Sequence, residues 1–370
     1  MSKFFGGNKP YDFAVFIGRF QPFHNGHKQV IDRALELAHK VIVLVGSADS
    51  GRTLRNPFTF DERKEMILGH YDVDGLNPYA PNVGVLVEPL PDIAYSDTTW
   101  VMQVQKIVDQ VVLREINAAH PNAGIHGTLD ARVCLIGHNK DNTSYYLKLF
   151  PQWSSENVPQ TELLAATNIR DVFFGRKGGV GDMPNSVADF LLKFTNTPDY
   201  MSLCEEYEFI RKYRESWAGA PYAPVFVTGD AVVIQSGHIL LVRRKNHPGR
   251  GLLALPGGFV NQDERILDGV IRELKEETNI RDGRGTIPPG VLEGFIEGWG
   301  VYDAPHRDPR GRVITHAYLF KLPDSKSLYK VKGGDDAESA QWYPLGTLKR
   351  SDFYADHYDI IQKLIDTDVE

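Results

Sequence analysis

The stretch 257–280, GGFVNQDERILDGVIRELKEETNI, does most to limit what this chain can fold into. A short apolar run at 252–255 reads as a strand, and Pro256 with the paired glycines reads as a turn. The apolar spacing after Glu264 then predicts a helix. On that helix Glu273, Glu276 and Glu277 fall one turn or less apart. So many acids on one face repel each other unless a hard cation sits among them. Oxygen-only ligands with room left for phosphate oxygens suit Mg²⁺, with Mn²⁺ able to serve as well. Arg272 can orient a neighbouring carboxylate by a bidentate contact. A Glu-rich helix is usually no more than a solvated face. Here the strand, turn and helix arrive in the order a metal site needs.

The residues Gly258, Glu264, Arg272, Glu273, Leu274, Glu276, Glu277 and Ile280 keep the spacing of the Nudix box, and the segment resembles it closely. One position departs: Asn279 stands where the box has Gly. That Gly takes φ > 0 at the helix end, and Asn is the next-best residue there, so the change concerns the cap more than the chemistry. The resemblance implies an α/β/α sandwich and a metal-dependent hydrolase of nucleoside diphosphates linked to another group. It also implies Glu273, Glu276 and Glu277 as metal ligands, Glu273 and Glu277 being catalytic.

A second motif lies near the N-terminus. The run 14–17 reads as a buried strand and leads into GRFQPFHNGH, 18–27, followed by a helix with Val30, Ile31, Ala34, Leu35 and Ala38 at helical spacing. A strand, a Gly-bearing loop and a helix start form a phosphate cradle, because unpaired N–H groups and the helix dipole face the anion. His24, His27 and Arg19 add groups that can stabilise charge on a transferring phosphoryl group. A lone histidine pair is more often structural or a metal pair; the whole ten-residue run is far less ambiguous. It resembles the HxGH signature of the nucleotidylyltransferase superfamily, and its fuller form is similar to the archaeal-type nicotinamide mononucleotide adenylyltransferases. The stretches Gly46-Ser47-Ala48 and NPFTFDER, 56–63, fit that family, and Asp92 and Trp100 fall where it places nicotinamide-side contacts. The run 166–170 is similar to its Ser/Thr-x-x-Arg helix start, with Thr167 and Arg170 as carriers, since Ala165 and Ala166 replace hydroxyl residues. The resemblance implies His24, His27, Arg19 and Arg170 as charge-stabilising catalytic groups. It implies Gly18, Phe20, Asn56, Asp92, Trp100 and Thr167 as nucleotide-binding, with ATP and nicotinamide mononucleotide as substrates. His138 and Asp141 follow a strand end and are further lining candidates, on equal terms with ordinary loop polarity.

A chain of 370 residues has room for two or three domains. The first half alternates strands (14–17, 41–45, 83–87, 132–136) with helices (27–39, 60–69, 98–118, 142–149), a rhythm that predicts a doubly wound, Rossmann-like parallel sheet. A Gly-rich loop at 175–184 and helices at 185–195 and 200–216 follow, and 218–224 reads as a linker. The α/β chain is therefore divided into a nucleotidylyltransferase domain at 1–195, a connector helix and linker at 196–220, and a Nudix domain at 221–370. Strands in the last are expected at 225–228, 231–235, 239–243, 252–255, 291–296, 313–322 and 340–343.

The formal net charge of −7 argues against bulk binding of nucleic acid or an anionic membrane. The two cysteines, Cys134 and Cys204, fit neither a metal spacing nor a disulfide framework, so a reducing cytoplasm is the simplest home. No apolar run approaches transmembrane length, and the N-terminus lacks a signal-peptide core. A homo-oligomer is compatible with all of this.

The loop 303–312 carries Arg307, Arg310 and Arg312, which could clamp a diphosphate or a ribose phosphate. A solvated basic loop is the plain alternative. A similar loop in Nudix enzymes acting on ADP-ribose points to that substrate. The acidic run 335–338 offers Glu338 and Asp336 as candidates for the base that activates water, against the alternative of a surface turn. The resemblances together imply two activities: NAD from ATP and the mononucleotide, and AMP with ribose 5-phosphate from ADP-ribose. NADH, a dinucleoside polyphosphate or an ADP-ribose-sensing role are the rival readings of the second half.

Overall fold

The computed structural model describes residues 4–6, 8–71, 84–121, 128, 130–138, 149–159, 166–179, 181, 183–334 and 336–366. Of the expected helix at 142–149 only the last residue falls among these; Val83, Asp141, Ala165 and Asp335 lie outside them. The chain divides into two compact units, one made of Met1–Asp49 with Asn56–Cys204 and the other of Ser50–Arg55 with Glu205–Glu370.

The first unit runs β1 (Tyr11–Gly18), α1 (Asn25–Leu37), β2 (Ala38–Val45), α2 (Phe60–Tyr71), β3 (Val85–Pro89), α3 (Asp97–Ala119), β4 (Val133–Gly137), β5 (Ser154–Asn157), α4 (Ala166–Phe174) and α5 (Asn185–Phe194). Helix α6 (Pro198–Ser216) begins in this unit and ends in the second. The strands form one parallel sheet in the order β3-β2-β1-β4-β5. Central strand β1 is buried from Asp12 to Ile17, so its apolar run is continuous rather than alternating. Helix α3 presents Val104, Val108, Val111 and Val112 to the core, where they meet Phe13, Val15, Ile42 and Leu135. Strand β5 went unforeseen: SSEN is mostly exposed and polar, and an edge strand of that kind carries no apolar signal. Strand order reverses between β1 and β4, and the crevice at such a reversal lies beyond the strand ends Gly18 and Gly137.

The second unit continues with β6 (Val225–Gln235), β7 (His238–Arg244), β8 (Leu253–Ala254), β9 (Gly257–Phe259), α7 (Ile266–Thr278), β10 (Arg281–Asp282), β11 (Gly285–Thr286), α8 (Pro289–Glu293), β12 (Ile296–Tyr302), β13 (Arg312–Lys321), β14 (Ala337–Pro344) and α9 (His357–Asp366). Its mixed sheet has the order β12-β13-β6-β7-β14, with β8 on β7 and β9 on β6. Helix α7 buries Val270, Ile271 and Leu274 against Ala231, Val233, Leu240 and Val242. Two expected strands, 225–228 and 231–235, are the single strand β6. Gly229 and Asp230 do not break it, because they pair with Gly258 and Gly257 of β9. The strand expected at 291–296 is instead the short helix α8 followed by the start of β12. Pro288 and Pro289 set helical entry there, Pro at the first turn losing no hydrogen bond. The Pro-Gly-Gly turn is the entry to β9, and β12, α9 and the β10–β11 hairpin were not anticipated. The α/β class expected for both halves is the one found. Among the described residues no helix is long and apolar enough to cross a membrane.

Candidate active sites

In the first unit the loop after β1 is shaped by close contacts. A Cβ on Gly18 would come within 2.9 Å of the Phe20 ring, so only glycine fits. Phe20 takes φ 51° and is buried, its ring edge-on to Phe16 at 5.3 Å. The Gln21 amide makes two 2.9 Å bonds to the backbone of Phe58, donating to its carbonyl and accepting its N–H. This ties the loop to the stretch that begins at Asn56, itself half-buried.

His24 caps α1: Nδ1 accepts the Gly26 N–H at 3.1 Å. A ring accepting at Nδ1 carries its proton on Nε2 when neutral, so it can donate from that edge. The His27 ring stacks on His24 at 3.8 Å and stands edge-on to Phe20 at 4.8 Å. His138, after β4, reaches the same helix start, with Nδ1 2.7 Å from the Val158 carbonyl and Nε2 3.3 Å from that of Gly26. Arg170 donates to the Gln21 carbonyl at 2.7 Å and to the Thr167 hydroxyl at 3.2 Å. Gly18, Phe20, His24, His27, His138, Thr167 and Arg170 are thus brought to one loop and the helix starts around it. The Arg19 side chain is exposed beside them. Trp100 packs at 6.1 Å on Phe150 as part of the core rim.

Arg63 was missed. It is buried in α2 and donates to the carbonyls of Arg19 (2.7 Å), Gly46 (2.6 Å), Ser47 (3.0 Å) and Thr59 (3.0 Å). Burial lowers its pKa to about 10, with Asp92 close enough to oppose the shift. The signal was available: Arg63 holds the core position of a helix whose Met66 and Ile67, three and four residues on, are buried.

In the second unit the carboxylates cluster around one guanidinium. Arg272 grips Glu264 with two bonds (3.0 and 2.7 Å), reaches Glu273 at 2.8 Å and Glu276 at 2.9 Å, and touches the Phe259 carbonyl at 3.3 Å. Its fork holds the Glu264 carboxyl down at about 2. Glu273 lies against β9 so closely that a Cβ on Gly258 would be 2.6 Å from its Oε1. Glu277 is buried and accepts the Gly257 N–H at 3.0 Å. Burial pushes its carboxyl up to about 8, and Glu273 and Asp230 nearby push the same way. Asn279 closes α7 in the left-handed conformation, φ 46°, as its place in the box requires.

The expected trio Glu273, Glu276 and Glu277 does not form a finished cage: among the described residues no three acidic or histidine groups do. Glu276 is held on the outer side by Arg272, which supplies the positive charge these acids need. The donors nevertheless suit a hard divalent cation. Glu277 is a buried carboxylate whose ionised form is disfavoured by burial and by the nearby acids, with Arg244 offsetting them only in part, and Glu273 faces the same cleft.

That cleft encloses about 510 Å³. Arg307 and Arg310 line it, each already engaged. Arg307 makes a bidentate pair with Asp356 (3.0 and 2.9 Å), and Arg310 one with Asp308 (3.0 and 2.7 Å). Asp336 lines it too, accepting from Asn246 at 3.0 Å, whereas Glu338 is exposed on β14, away from the lining. A wall that the sequence did not disclose comes from Tyr354, just before α9, and from His357, its first residue. Tyr354 carries the Arg244 guanidinium 4.4 Å above its ring, and His357 Nδ1 accepts the Leu255 N–H at 3.1 Å. Polar and aromatic residues without helix or strand periodicity give no hint of partners a hundred positions away.

Comparison with known proteins agrees with this geometry. A cytidylyltransferase-like family matches residues 15–128 and the NUDIX domain matches 226–364. A nicotinamide/nicotinic acid mononucleotide adenylyltransferase of Acinetobacter baylyi is 33% identical over 198 residues, 53% of this chain and 94% of that protein. An ADP-ribose pyrophosphatase of Methanocaldococcus jannaschii is 37% identical over 153 residues, 41% of this chain and 77% of that protein. A bifunctional NMN adenylyltransferase/ADP ribose pyrophosphatase of Francisella tularensis, solved with AMP and a manganese ion, superposes with TM-score 0.81 at 35% identity. It covers 96% of this chain and 99% of its own.

Proposed function

Because the chain belongs to the family of bifunctional nicotinamide mononucleotide adenylyltransferase/ADP-ribose pyrophosphatases, we propose that its first unit makes NAD and its second hydrolyses ADP-ribose. The observation that carries this reading is the likeness along 96% of the chain to a protein with both activities.

In the first unit the phosphate of the mononucleotide attacks the α-phosphorus of ATP, the bond to the leaving oxygen breaks, and NAD and pyrophosphate result. No residue is modified. The N–H groups at the start of α1 cradle phosphate, and His24, with a proton on Nε2, His27 and Arg170 stabilise the charge on the transferring group. Positioning of the two nucleotides supplies much of the remaining rate. Asn56, Asp92 and Trp100 are proposed for the nicotinamide side and the adenosine.

In the second unit water attacks the diphosphate of ADP-ribose, giving AMP and ribose 5-phosphate. Glu273, Glu276 and Glu277 would hold a divalent cation, Mg²⁺ in the first place, which when bound neutralises diphosphate charge and acidifies water. Arg272 keeps Glu264 ionised and holds Glu273 against β9. Arg307 and Arg310, fixed by Asp356 and Asp308, present rigid positive edges to the cleft. Asp336 is the better placed of the two candidate bases, since it lines the cleft. The pairing of activities has a logic: breakdown of NAD releases ADP-ribose, which one unit would clear while the other remakes NAD. Both cysteines are buried free thiols, in keeping with a reducing cytoplasm.

The test is product analysis after incubating the protein and Mg²⁺ with ADP-ribose, NADH and diadenosine polyphosphates in parallel. AMP appearing fastest from ADP-ribose is expected. Faster turnover of another substrate keeps the chemistry and overturns the salvage logic; no turnover of any overturns the hydrolase.

A further inference from the structure

One end of the second unit's cleft is aromatic, and the hydrolytic chemistry makes no use of it. Phe209 lines the cleft from α6, upstream of residue 226 where the NUDIX match begins. The residue is 37% exposed. Tyr213, one helical turn on, backs it at 6.4 Å, and Phe259 stacks on Tyr213 at 6.5 Å with an interplanar angle of 14°. The Arg310 guanidinium covers Phe259 at 4.8 Å. The ladder is thus packed behind Phe209 and fixed by a cation, while Phe209 itself is left to the cleft.

His247 lines the same end, its centroid 6.5 Å from that of Phe209. Its side chain is 10% exposed, yet among the described residues neither ring nitrogen has a hydrogen bond. The nearest carboxylate oxygens, on Glu206 and Glu205, stand 3.5 and 3.6 Å away. A buried polar group left unbonded costs stability, so a ligand edge that bonds it gains by relieving that cost.

A flat ring beside an unsatisfied imidazole matches a nucleobase, which has a π face and ring nitrogens at its edge. It does not match a ribose phosphate, which offers hydroxyls and charge but no face. We propose that Phe209 and His247 form the nucleobase subsite of the hydrolase cleft, the base stacking on Phe209 with its edge toward His247. Binding specificity of the hydrolase then depends on a helix outside the Nudix domain proper. The inference rests on the hydrolase reading above.

The experiment uses the full-length chain and its Phe209→Ala and Phe209→Trp variants, with hydrolysis of whichever adenine dinucleotide or ADP-ribose the wild type turns over best as the signal. Inhibition by AMP and by ribose 5-phosphate is measured separately. Stacking on one aromatic ring sets the expected effect: Phe209→Ala weakens AMP inhibition roughly tenfold and leaves ribose 5-phosphate inhibition unchanged. Phe209→Trp retains AMP inhibition, and NAD synthesis is normal in both variants, which reports a folded chain. Equal loss for both inhibitors, loss for ribose 5-phosphate alone, or no change for AMP overturns the subsite while the hydrolase stands. A wild type that hydrolyses none of these substrates overturns the hydrolase and the subsite with it.

Discussion

At the end of β1 stand two stacked imidazoles, a guanidinium and a helix start; at the end of β9 stand carboxylates. Both places are a strand, a glycine forced by close contact, and a helix. The first presents N–H groups and a guanidinium, which suit negative charge directly. On the proposed reading the second would repel it and recruit a cation before a diphosphate approaches. A buried or half-buried arginine organises each. Arg63 binds four carbonyls and so fixes backbone, whereas Arg272 binds three carboxylates and so fixes charge. Similar local architecture therefore says little about chemistry until the side chains on its first turns are read.

The contrast can be broken most sharply at Glu277. Glu277→Gln keeps the shape and an acceptor for the Gly257 N–H but removes the charge a cation needs. ADP-ribose hydrolysis is expected to fall on the order of 10³-fold, with NAD synthesis unchanged. The mirror change, His27→Ala, is expected to lower NAD synthesis on the order of 10²-fold and spare hydrolysis, read in the same pair of assays. Arg63→Met tests the scaffold rather than the chemistry. It orphans buried carbonyls, and a loss of about 3 kcal/mol is expected in thermal or denaturant unfolding of the first unit, together with NAD synthesis. Hydrolysis measured below that transition should survive. Arg63→Lys should recover only part of the loss, since an ammonium lacks the planar fork. The smallest effect belongs to Asn279→Gly, which trades a tolerated left-handed residue for the preferred one and gives up a 3.2 Å bond to the Lys332 carbonyl. A change below about 1 kcal/mol is expected, with hydrolysis intact.

Where chemistry sits in an unbroken run of sequence, it was legible. The loop 18–27 disclosed its strand, its helix and the residues that converge, and the stretch 257–280 disclosed its helix and the left-handed cap at Asn279, though its paired glycines proved to belong to strand β9. Partners joined only by tertiary contact were not. Asp308 and Asp356 turn Arg307 and Arg310 from a loose basic loop into two fixed pairs. The segment around Tyr354 and His357 builds a wall of the cleft without any periodicity of its own. Strands such as β5 and β12 were lost because an exposed edge alternates too weakly, or is too polar, to stand out. Gly229-Asp230 looked like a break, yet both residues continue β6, because they pair with β9, and Val270 of α7, 2.4 Å from where a Cβ on Gly229 would sit, leaves room only for glycine there.

The central claim is that one chain carries two chemically opposite sites that work separately. The most direct measurement assays wild type, His27→Ala and Glu277→Gln side by side for NAD formed from ATP and nicotinamide mononucleotide and for AMP formed from ADP-ribose. The account predicts that each variant loses one activity and keeps the other at the wild-type rate. Loss of both activities in either variant, with the chain still folded, would contradict it.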